Sequence, residues 1–179
     1  MHDFVAHKEG VNGLSWGPPT EPALLSSSSD DLLSQKASGK FQPPVKRLVS
    51  GGNDMKVQLW ELPEGQEEPK GQEIGVHGDW VRDVAWCNNI GLQHEMIASC
   101  SEDKTARVWK KNGEKGSWTF KEIKLEEDVP LWKVSWSHVG NMLAISGGDN
   151  QVHVMSEDHS GNWEAVQVVN EQSIHEASQ

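Results

Sequence analysis

The 179-residue chain contains no tyrosine, only two cysteines and fewer basic than acidic side chains. Cys87 and Cys100 are too few for the disulfide framework of a small secreted domain. The 16 Lys and Arg residues stand against 27 Asp and Glu residues, which leaves a formal charge of −11. Because negative charge repels phosphate and anionic headgroups, this balance disfavours binding to nucleic acid or to a membrane surface.

Long apolar runs are also absent. No stretch approaches the roughly 18 to 20 consecutive apolar residues that a membrane-spanning helix needs. The first residues of the chain lack the basic and then apolar pattern of a signal peptide. These features predict a protein of the reducing cytosol or nucleus, with no direct membrane insertion.

What the sequence does contain is tryptophan, turn residues and an internal repeat. There are nine Trp, three Phe, 17 Gly and eight Pro, which predicts many short elements. Residues 48–60 align with residues 97–109, so that Ser, Asp and Trp coincide at a step of 49 residues. A third copy at 143–155 has one residue fewer between Ser146 and Asp149, and Met155 takes the place of Trp. A second motif precedes each copy, at 11–16, 81–86 and 131–136.

Each repeat predicts four short antiparallel strands. The apolar runs are bounded by Gly/Asn/Asp/Ser clusters that favour tight hairpin turns, and the segments 72–76, 118–124 and 163–169 supply outer strands. We expect a domain over 1–170 with units at about 5–60, 72–109 and 118–155, followed by the outer strand at 163–169. Residues 19–44 are predicted to be a solvated insertion and 171–179 a disordered tail.

Repeats of this length and pattern are typical of WD-repeat β-propellers. The fold class is therefore all-β, a partial propeller of about three four-stranded blades. In such a unit His, Ser, Asp and Trp form a hydrogen-bonded set that satisfies buried polar groups. Two sets are expected, and they are His77, Ser99, Asp103 and Trp109 in the middle unit, and His7, Ser50, Asp54 and Trp60 in the first. The third unit lacks the His and the Trp, so we expect weaker hydrogen bonding in its hairpin.

Catalytic and metal-binding interpretations of the same residues are weaker. Ser, His and Asp are the components of a catalytic triad, but the set recurs and no Gly-x-Ser-x-Gly motif exposes a serine. His77, Cys87, His94 and Cys100 do not have the spacing of a structural zinc site. We therefore expect no catalytic residue, no metal, no cofactor and no enzyme activity.

Three stretches carry a more specific resemblance. They are residues 77–86 (His-Gly-Asp-Trp-Val-Arg-Asp-Val-Ala-Trp), residues 97–101 (Ile-Ala-Ser-Cys-Ser), and residues 131–137 (Leu-Trp-Lys-Val-Ser-Trp-Ser) with 146–150 (Ser-Gly-Gly-Asp-Asn). They resemble the Sec-thirteen family, which supplies the small WD-repeat subunit of the COPII outer coat. The resemblance runs from about residue 7 to residue 170, apart from the insertion, and corresponds to the last three of six blades.

The resemblance implies a structural scaffold. Members of the family form a six-bladed open propeller that is completed by strands from a helical-solenoid partner. That partner is the large COPII outer-coat subunit in ER-to-Golgi protein transport, or a Y-complex nucleoporin in the nuclear pore, which serves mRNA transport. A nutrient-sensing complex upstream of TOR is a further partner, and the implied locations are the cytoplasmic face of the endoplasmic reticulum, COPII vesicles and the nuclear envelope.

Partner contacts are expected in the last unit, where the candidates are Val152, Val154, Met155 and Trp163. The alternative interpretation is a general WD-repeat adaptor, such as a ubiquitin-ligase or signalling platform. Such an adaptor would bind through a rim that contains Trp80, Arg82 and Trp132.

Overall fold

The computed structural model describes residues 10–16, 46–62, 68–88, 94–113 and 116–170. The predicted insertion at 19–44, the predicted tail at 171–179 and His7 lie outside the described residues. Within these ranges the chain is all-β, with twelve strands and no helix. The strands are β1 (Val11–Trp16), β2 (Lys46–Gly52), β3 (Lys56–Leu62), β4 (Lys70–Val76), β5 (Val81–Trp86), β6 (His94–Ser101), β7 (Thr105–Asn112), β8 (Trp118–Lys124), β9 (Leu131–Trp136), β10 (Met142–Gly147), β11 (Val152–Glu157) and β12 (Trp163–Val169).

The described strands form three antiparallel sheets of four strands each. Sheet 1 contains β1 to β4, sheet 2 contains β5 to β8 and sheet 3 contains β9 to β12, each in chain order. The three predicted outer segments lie in β4, β8 and β12. This arrangement confirms the prediction of a partial β-propeller.

The sheets are stacked with their first strands together. β5 contacts both β1 and β9, and β6 also contacts β9. We call the face of each sheet that points in the direction from sheet 1 to sheet 3 its forward face, and the opposite one its rear face. The rear face of sheet 3 therefore contacts sheet 2. Since successive side chains in a strand point to opposite faces, each strand contributes to both.

Two apolar cores lie between the sheets and join them. The first core joins the forward face of sheet 1 to the rear face of sheet 2, and the second joins the forward face of sheet 2 to the rear face of sheet 3. The first contains Val49, Val57, Leu59, Val81, Val84, Trp86, Ile97 and Trp109. The second contains Cys87, Met96, Ala98, Cys100, Ala106, Val108, Ile123, Leu131, Val134, Leu143, Ile145 and Met155.

A glycine permits the closest contact in the first core. Gly75 in β4 lies directly against the indole of Trp109, and a Cβ at Gly75 would overlap atoms Cη2 and Cζ3 of that ring. The ring is 2% exposed. Glycine at position 75 therefore allows the largest buried side chain of sheet 2 to pack on sheet 1.

The hairpin between the second and third strands of each sheet has the same backbone feature. A residue with positive φ follows the turn aspartate in all three sheets, namely Met55 (φ 64°), Lys104 (φ 70°) and Asn150 (φ 57°). This left-handed residue reverses the chain within a tight turn.

Strand pairing corrects the sequence alignment of the third repeat. Val84 pairs with Ser99 in sheet 2 and Val134 pairs with Ile145 in sheet 3. The position of Ser99 is therefore occupied by Ile145 and not by Ser146. With Ile145 in that position the spacing to Asp149 equals the spacing from Ser99 to Asp103, so no residue is missing from the third repeat.

Candidate functional site

The polar set of sheet 2 is brought together in one chain of hydrogen bonds. The indole Nε1 of Trp109 donates to Oγ of Ser99 at 2.8 Å, and Nε2 of His77 lies 2.8 Å from the same oxygen. Nδ1 of His77 is 3.0 Å from Oδ2 of Asp103. Because Ser99 accepts from the indole, its hydroxyl hydrogen is free to bond an unprotonated Nε2, which leaves the Nδ1 hydrogen for the carboxylate.

Asp103 receives several further donors. Oδ2 accepts the backbone N–H of Gly78 at 2.8 Å, and Oδ1 accepts both the hydroxyl and the N–H of Thr105 at 2.7 and 2.9 Å. Burial alone would raise the pKa of Asp103, but the hydrogen bonds from His77, Thr105 and Gly78 outweigh it and hold this pKa below its ordinary value. The carboxylate thus accepts hydrogen bonds from Thr105 in its own hairpin and from His77 and Gly78 in the segment before β5.

The members of this network are shielded from solvent. Ser99 is completely buried and His77 is 3% exposed, so neither side chain can reach a substrate in solvent. The network joins the segment before β5, the strand β6 and the β6–β7 turn. What it does chemically is to satisfy buried polar groups that would otherwise destabilise the fold.

Sheet 1 contains part of the corresponding set. Nε1 of Trp60 donates to Oγ of Ser50 at 2.9 Å, which repeats the Trp109–Ser99 bond. Oδ1 of Asp54 accepts the N–H of Lys56 at 3.3 Å. The described residues therefore join Ser50 to Trp60 and place Asp54 in the hairpin turn.

Sheet 3 holds its turn aspartate in a different way. Ile145 and Met155 take the positions of the Ser and Trp, and Nε2 of His153 bonds Oδ2 of Asp149 at 2.6 Å. Burial would raise the pKa of Asp149, but the bonds from His153 and from the N–H of Gln151 lower it below its ordinary value. Sequence reasoning missed His153, although a His four residues after the turn aspartate was the available signal.

The cysteines and histidines do not assemble a metal site. Cys87 and Cys100 are not joined in a disulfide, and both are buried. Burial, followed by the nearby Asp83 carboxylate, raises the pKa of Cys100, which keeps that thiol protonated. In the part of the chain that the structure describes, no group of three or more His, Cys, Asp or Glu side chains is placed to hold a metal ion.

An aromatic cluster lies where sheets 2 and 3 meet, at the starts of β5 and β9. The guanidinium carbon of Arg82 is 5.2 Å from the ring centre of Trp80 and 5.4 Å from that of Trp132. Its Nη2 also bonds the carboxylate of Glu102. Both indoles are substantially exposed, so this rim cluster presents two aromatic surfaces to solvent.

The four candidate partner residues divide between the two faces of sheet 3. Met155 and Trp163 belong to the core against sheet 2, and Trp163 stacks edge-on against Trp136 with 5.6 Å between ring centres. Val152 pairs with Ser146 and Val154 with Ala144, which places both valines on the forward face. That face meets no other sheet among the described residues.

Helices of membrane-spanning length and hydropathy are not found in the described ranges.

The fold and the repeats define the class to which the chain belongs, a partial WD-repeat β-propeller. Residues 70–110, which run from β4 to β7, match the family model described as WD domain, G-beta repeat. This match covers the part of the chain that carries the complete polar network.

Within that class the chain is similar to Sec13 proteins. It is 42% identical over 170 residues to Protein transport protein sec13 of Aspergillus fumigatus, covering 94% of this chain and 51% of the relative. Identity to Protein transport protein SEC13 of Yarrowia lipolytica is 40% over 173 residues, or 94% and 53% of the two chains. Identity to Protein SEC13 homolog of Homo sapiens is 38% over 166 residues, or 92% and 49%. The resemblance to the Sec-thirteen family is confirmed, and the chain spans about half the length of the curated relatives it matches.

Proposed function

We propose that the chain is a non-catalytic scaffold subunit in protein transport. Its similarity to proteins named for that process, over nearly all of the chain, is the observation that carries this proposal. The geometry of sheet 2 supports it, because the one Ser–His–Asp arrangement found in the described residues is buried and its polar atoms bond one another.

In this proposal the chain acts in the COPII coat at the cytoplasmic face of the endoplasmic reticulum, with a second role in the nuclear pore. The large helical-solenoid subunit of the outer coat and a Y-complex nucleoporin are the expected partners. A nutrient-sensing complex upstream of TOR is a third. Nucleic acid is not a partner, because the formal charge of −11 opposes binding to phosphate.

The forward face of sheet 3 is the surface that such a partner would use. Val152 and Val154 lie there beside Ala144 and Ser146, and this face is less covered than the forward faces of sheets 1 and 2. Strands donated by a partner would pack on these small side chains as the next sheet of the propeller. Packing between that donated sheet and the forward face of sheet 3 would supply both affinity and specificity.

The test is affinity purification of the tagged full chain followed by identification of the co-purified proteins. The matched variants are Val154→Arg on the forward face and Val139→Arg in the β9–β10 turn, where the valine is also exposed. Recovery of a helical-solenoid coat or pore subunit by wild type and Val139→Arg, with loss from Val154→Arg, supports the proposal. Absence of any coat or pore subunit from the wild-type sample contradicts it.

The rim cluster favours one alternative, a general WD-repeat adaptor. Trp and Arg are the residues most often found at the energetic centres of protein interfaces, and the cluster exposes two Trp around one Arg. An adaptor would lose its partner in Trp132→Ala and keep it in Val154→Arg. A coat scaffold that binds through sheet 3 would show the reverse.

A further inference from the structure

Asparagine followed by glycine occurs twice in the sequence, as Asn12–Gly13 and as Asn112–Gly113. Such a pair is prone to attack by the backbone on the side-chain amide, because glycine has no side chain to hinder its own nitrogen and moves easily between backbone conformations. The reaction requires the glycine nitrogen to approach the side-chain carbonyl carbon, Cγ, of the asparagine. The fold therefore decides which of the two pairs can react.

The Asn112–Gly113 pair lies where the backbone is free to rotate. Asn112 is the last residue of β7, where it pairs with His94, and Gly113 follows it in the β7–β8 turn. Both Asn112 and Gly113 are exposed. Gly113 has a φ of 69°, and a Cβ built on it would meet no atom within 4 Å. A rotation at Asn112 therefore disturbs only the terminal pair of the strand.

The described part of the β7–β8 turn is also weakly held. The side-chain amide of Asn112 makes no hydrogen bond to a described residue. The N–H of Gly116 donates to the carbonyl of Gly113 at a long 3.3 Å. The two reacting groups can thus approach each other without the loss of a strong contact.

The Asn12–Gly13 pair is fixed in its strand. Nδ2 of Asn12 donates to Oδ1 of Asn53 and, at 2.9 Å, to the backbone carbonyl of Val81. Gly13 is buried within β1, and a Cβ built on it would lie 2.8 Å from the backbone nitrogen of Val84. Both reacting groups of this pair are therefore held against sheet 2, and the strand would have to open before they could meet.

We infer that Asn112 is a site of spontaneous deamidation, a covalent modification that needs only water as co-reactant. The Gly113 nitrogen gives up its proton to solvent base and forms a bond to Cγ of Asn112, while the bond from Cγ to Nδ2 breaks and ammonia leaves. Water then opens the resulting succinimide ring. Addition at Cγ gives an aspartate, and addition at the backbone carbonyl carbon of residue 112 gives an isoaspartate.

Both products change the charge and the connection between β7 and β8. A neutral amide becomes a carboxylate, so each modified copy gains one negative charge beyond the formal −11. The new charge lies next to Lys111, whose Nζ is 6.0 Å from the ring centre of Trp118. Isoaspartate also lengthens the backbone by one carbon atom, directly beside the pairing of Lys111 with Trp118. Asn112 and Gly113 belong to neither apolar core, so the change should stay local.

This inference does not depend on the proposed function, because Asn112 lies in sheet 2 and the surface proposed for a partner lies in sheet 3. Peptide mapping by mass spectrometry tests it on the purified full chain after incubation in mildly alkaline buffer, and it measures both asparagines in one sample. In the native chain Asn112 should be converted at least about tenfold faster than Asn12, because Asn12 must first break two hydrogen bonds and leave a packed strand. The rate at Asn112 should rise with pH, since the attacking nitrogen must lose its proton.

The same incubation in concentrated urea shows whether the fold causes the difference. Unfolding frees both pairs, so Asn12 should then react at a rate similar to that of Asn112. Conversion of Asn12 as fast as Asn112 in the native chain would overturn the inference. A native chain in which Asn112 stays unmodified would overturn it as well.

Asn112→Gln is the matched variant, since glutamine keeps the amide but its longer side chain would close a larger ring that forms more slowly. Ion-exchange chromatography of the aged wild type should resolve an acidic form that Asn112→Gln lacks, while both proteins keep the same circular dichroism spectrum. Asn141→Gln, at an exposed turn asparagine that is followed by methionine, should still give the acidic form. An acidic form that persists in Asn112→Gln at the wild-type rate would place the reaction elsewhere and refute the assignment.

Discussion

Replacing Gly75 with alanine tests the packing of sheet 1 against sheet 2. A Cβ at this position would overlap two atoms of the Trp109 ring, and the ring is held in place because its N–H donates to Ser99. Overpacking of a dense core destabilises by about 1–3 kcal/mol. If the indole moves to escape the clash, the buried N–H···O bond is lost as well, which adds about 1–3 kcal/mol.

We therefore expect Gly75→Ala to lower the free energy of unfolding by about 3 kcal/mol, in the lower half of the summed range. For a chain of this size that corresponds to a fall of roughly 6–12 °C in the melting temperature. The assay is urea denaturation followed by tryptophan fluorescence, at one fixed protein concentration.

The matched control is Gly148→Ala, since the nearest atoms to a Cβ there are 3.7 to 3.8 Å away and the substitution should change the stability by less than about 0.5 kcal/mol. A double-mutant cycle with Trp109→Phe identifies the cause, because the smaller ring should make Gly75→Ala less harmful. Equal stability of Gly75→Ala and wild type, or equal losses from both glycine substitutions, would refute the packing argument.

Three further predictions concern the buried network and the thiol of Cys100. Ser99→Ala leaves the Trp109 N–H unpaired and should destabilise by about 1–3 kcal/mol in urea denaturation, whereas Ser156→Ala should be nearly neutral. Hydrogen bonds lower the pKa of Asp103 in the folded state. The ionised carboxylate therefore adds stability, and this contribution is complete above the ordinary carboxyl pKa of about 4. The contribution is lost as the pH falls through the pKa of the folded state. The difference in stability between wild type and Asp103→Asn should accordingly shrink below about pH 4, and a constant difference would contradict the assignment. Cys100 should react with a thiol reagent only as fast as the protein unfolds, because burial raises its pKa; rapid labelling of the native chain would show that the thiol is accessible.

The strands and the hairpin network of sheet 2 could be predicted because their residues are local and repeated. Ser99, Asp103 and Trp109 recur at fixed spacing, and a spacing of this kind survives in a linear alignment. Each member also has an evident bonding partner in the set, so the chemistry could be worked out before the fold was known.

The third repeat is predicted in less detail because matching Ser146 with Ser99 hides the correct register. Without a gap, residues 143–155 align with 97–109 and put Ile145 at the position of Ser99, as the pairing of Val134 with Ile145 shows. The contact between His153 and Asp149 arises from that local rearrangement. The linking of Arg82 to Glu102 likewise depends on which ends of β5 and β6 lie together.

The residue after each turn aspartate has a positive φ angle, and substitution at these positions can raise the melting temperature of the chain. Asn150 tolerates the left-handed conformation, but Met55 and Lys104 adopt it at a strain of roughly 1 kcal/mol each, which glycine would not incur. Both side chains project from hairpin tips, so glycine there would relieve the strain without touching a core. Met55→Gly should therefore raise the melting temperature slightly, whereas Lys104→Gly should gain less because it also removes the ion pair between Lys104 and Asp128.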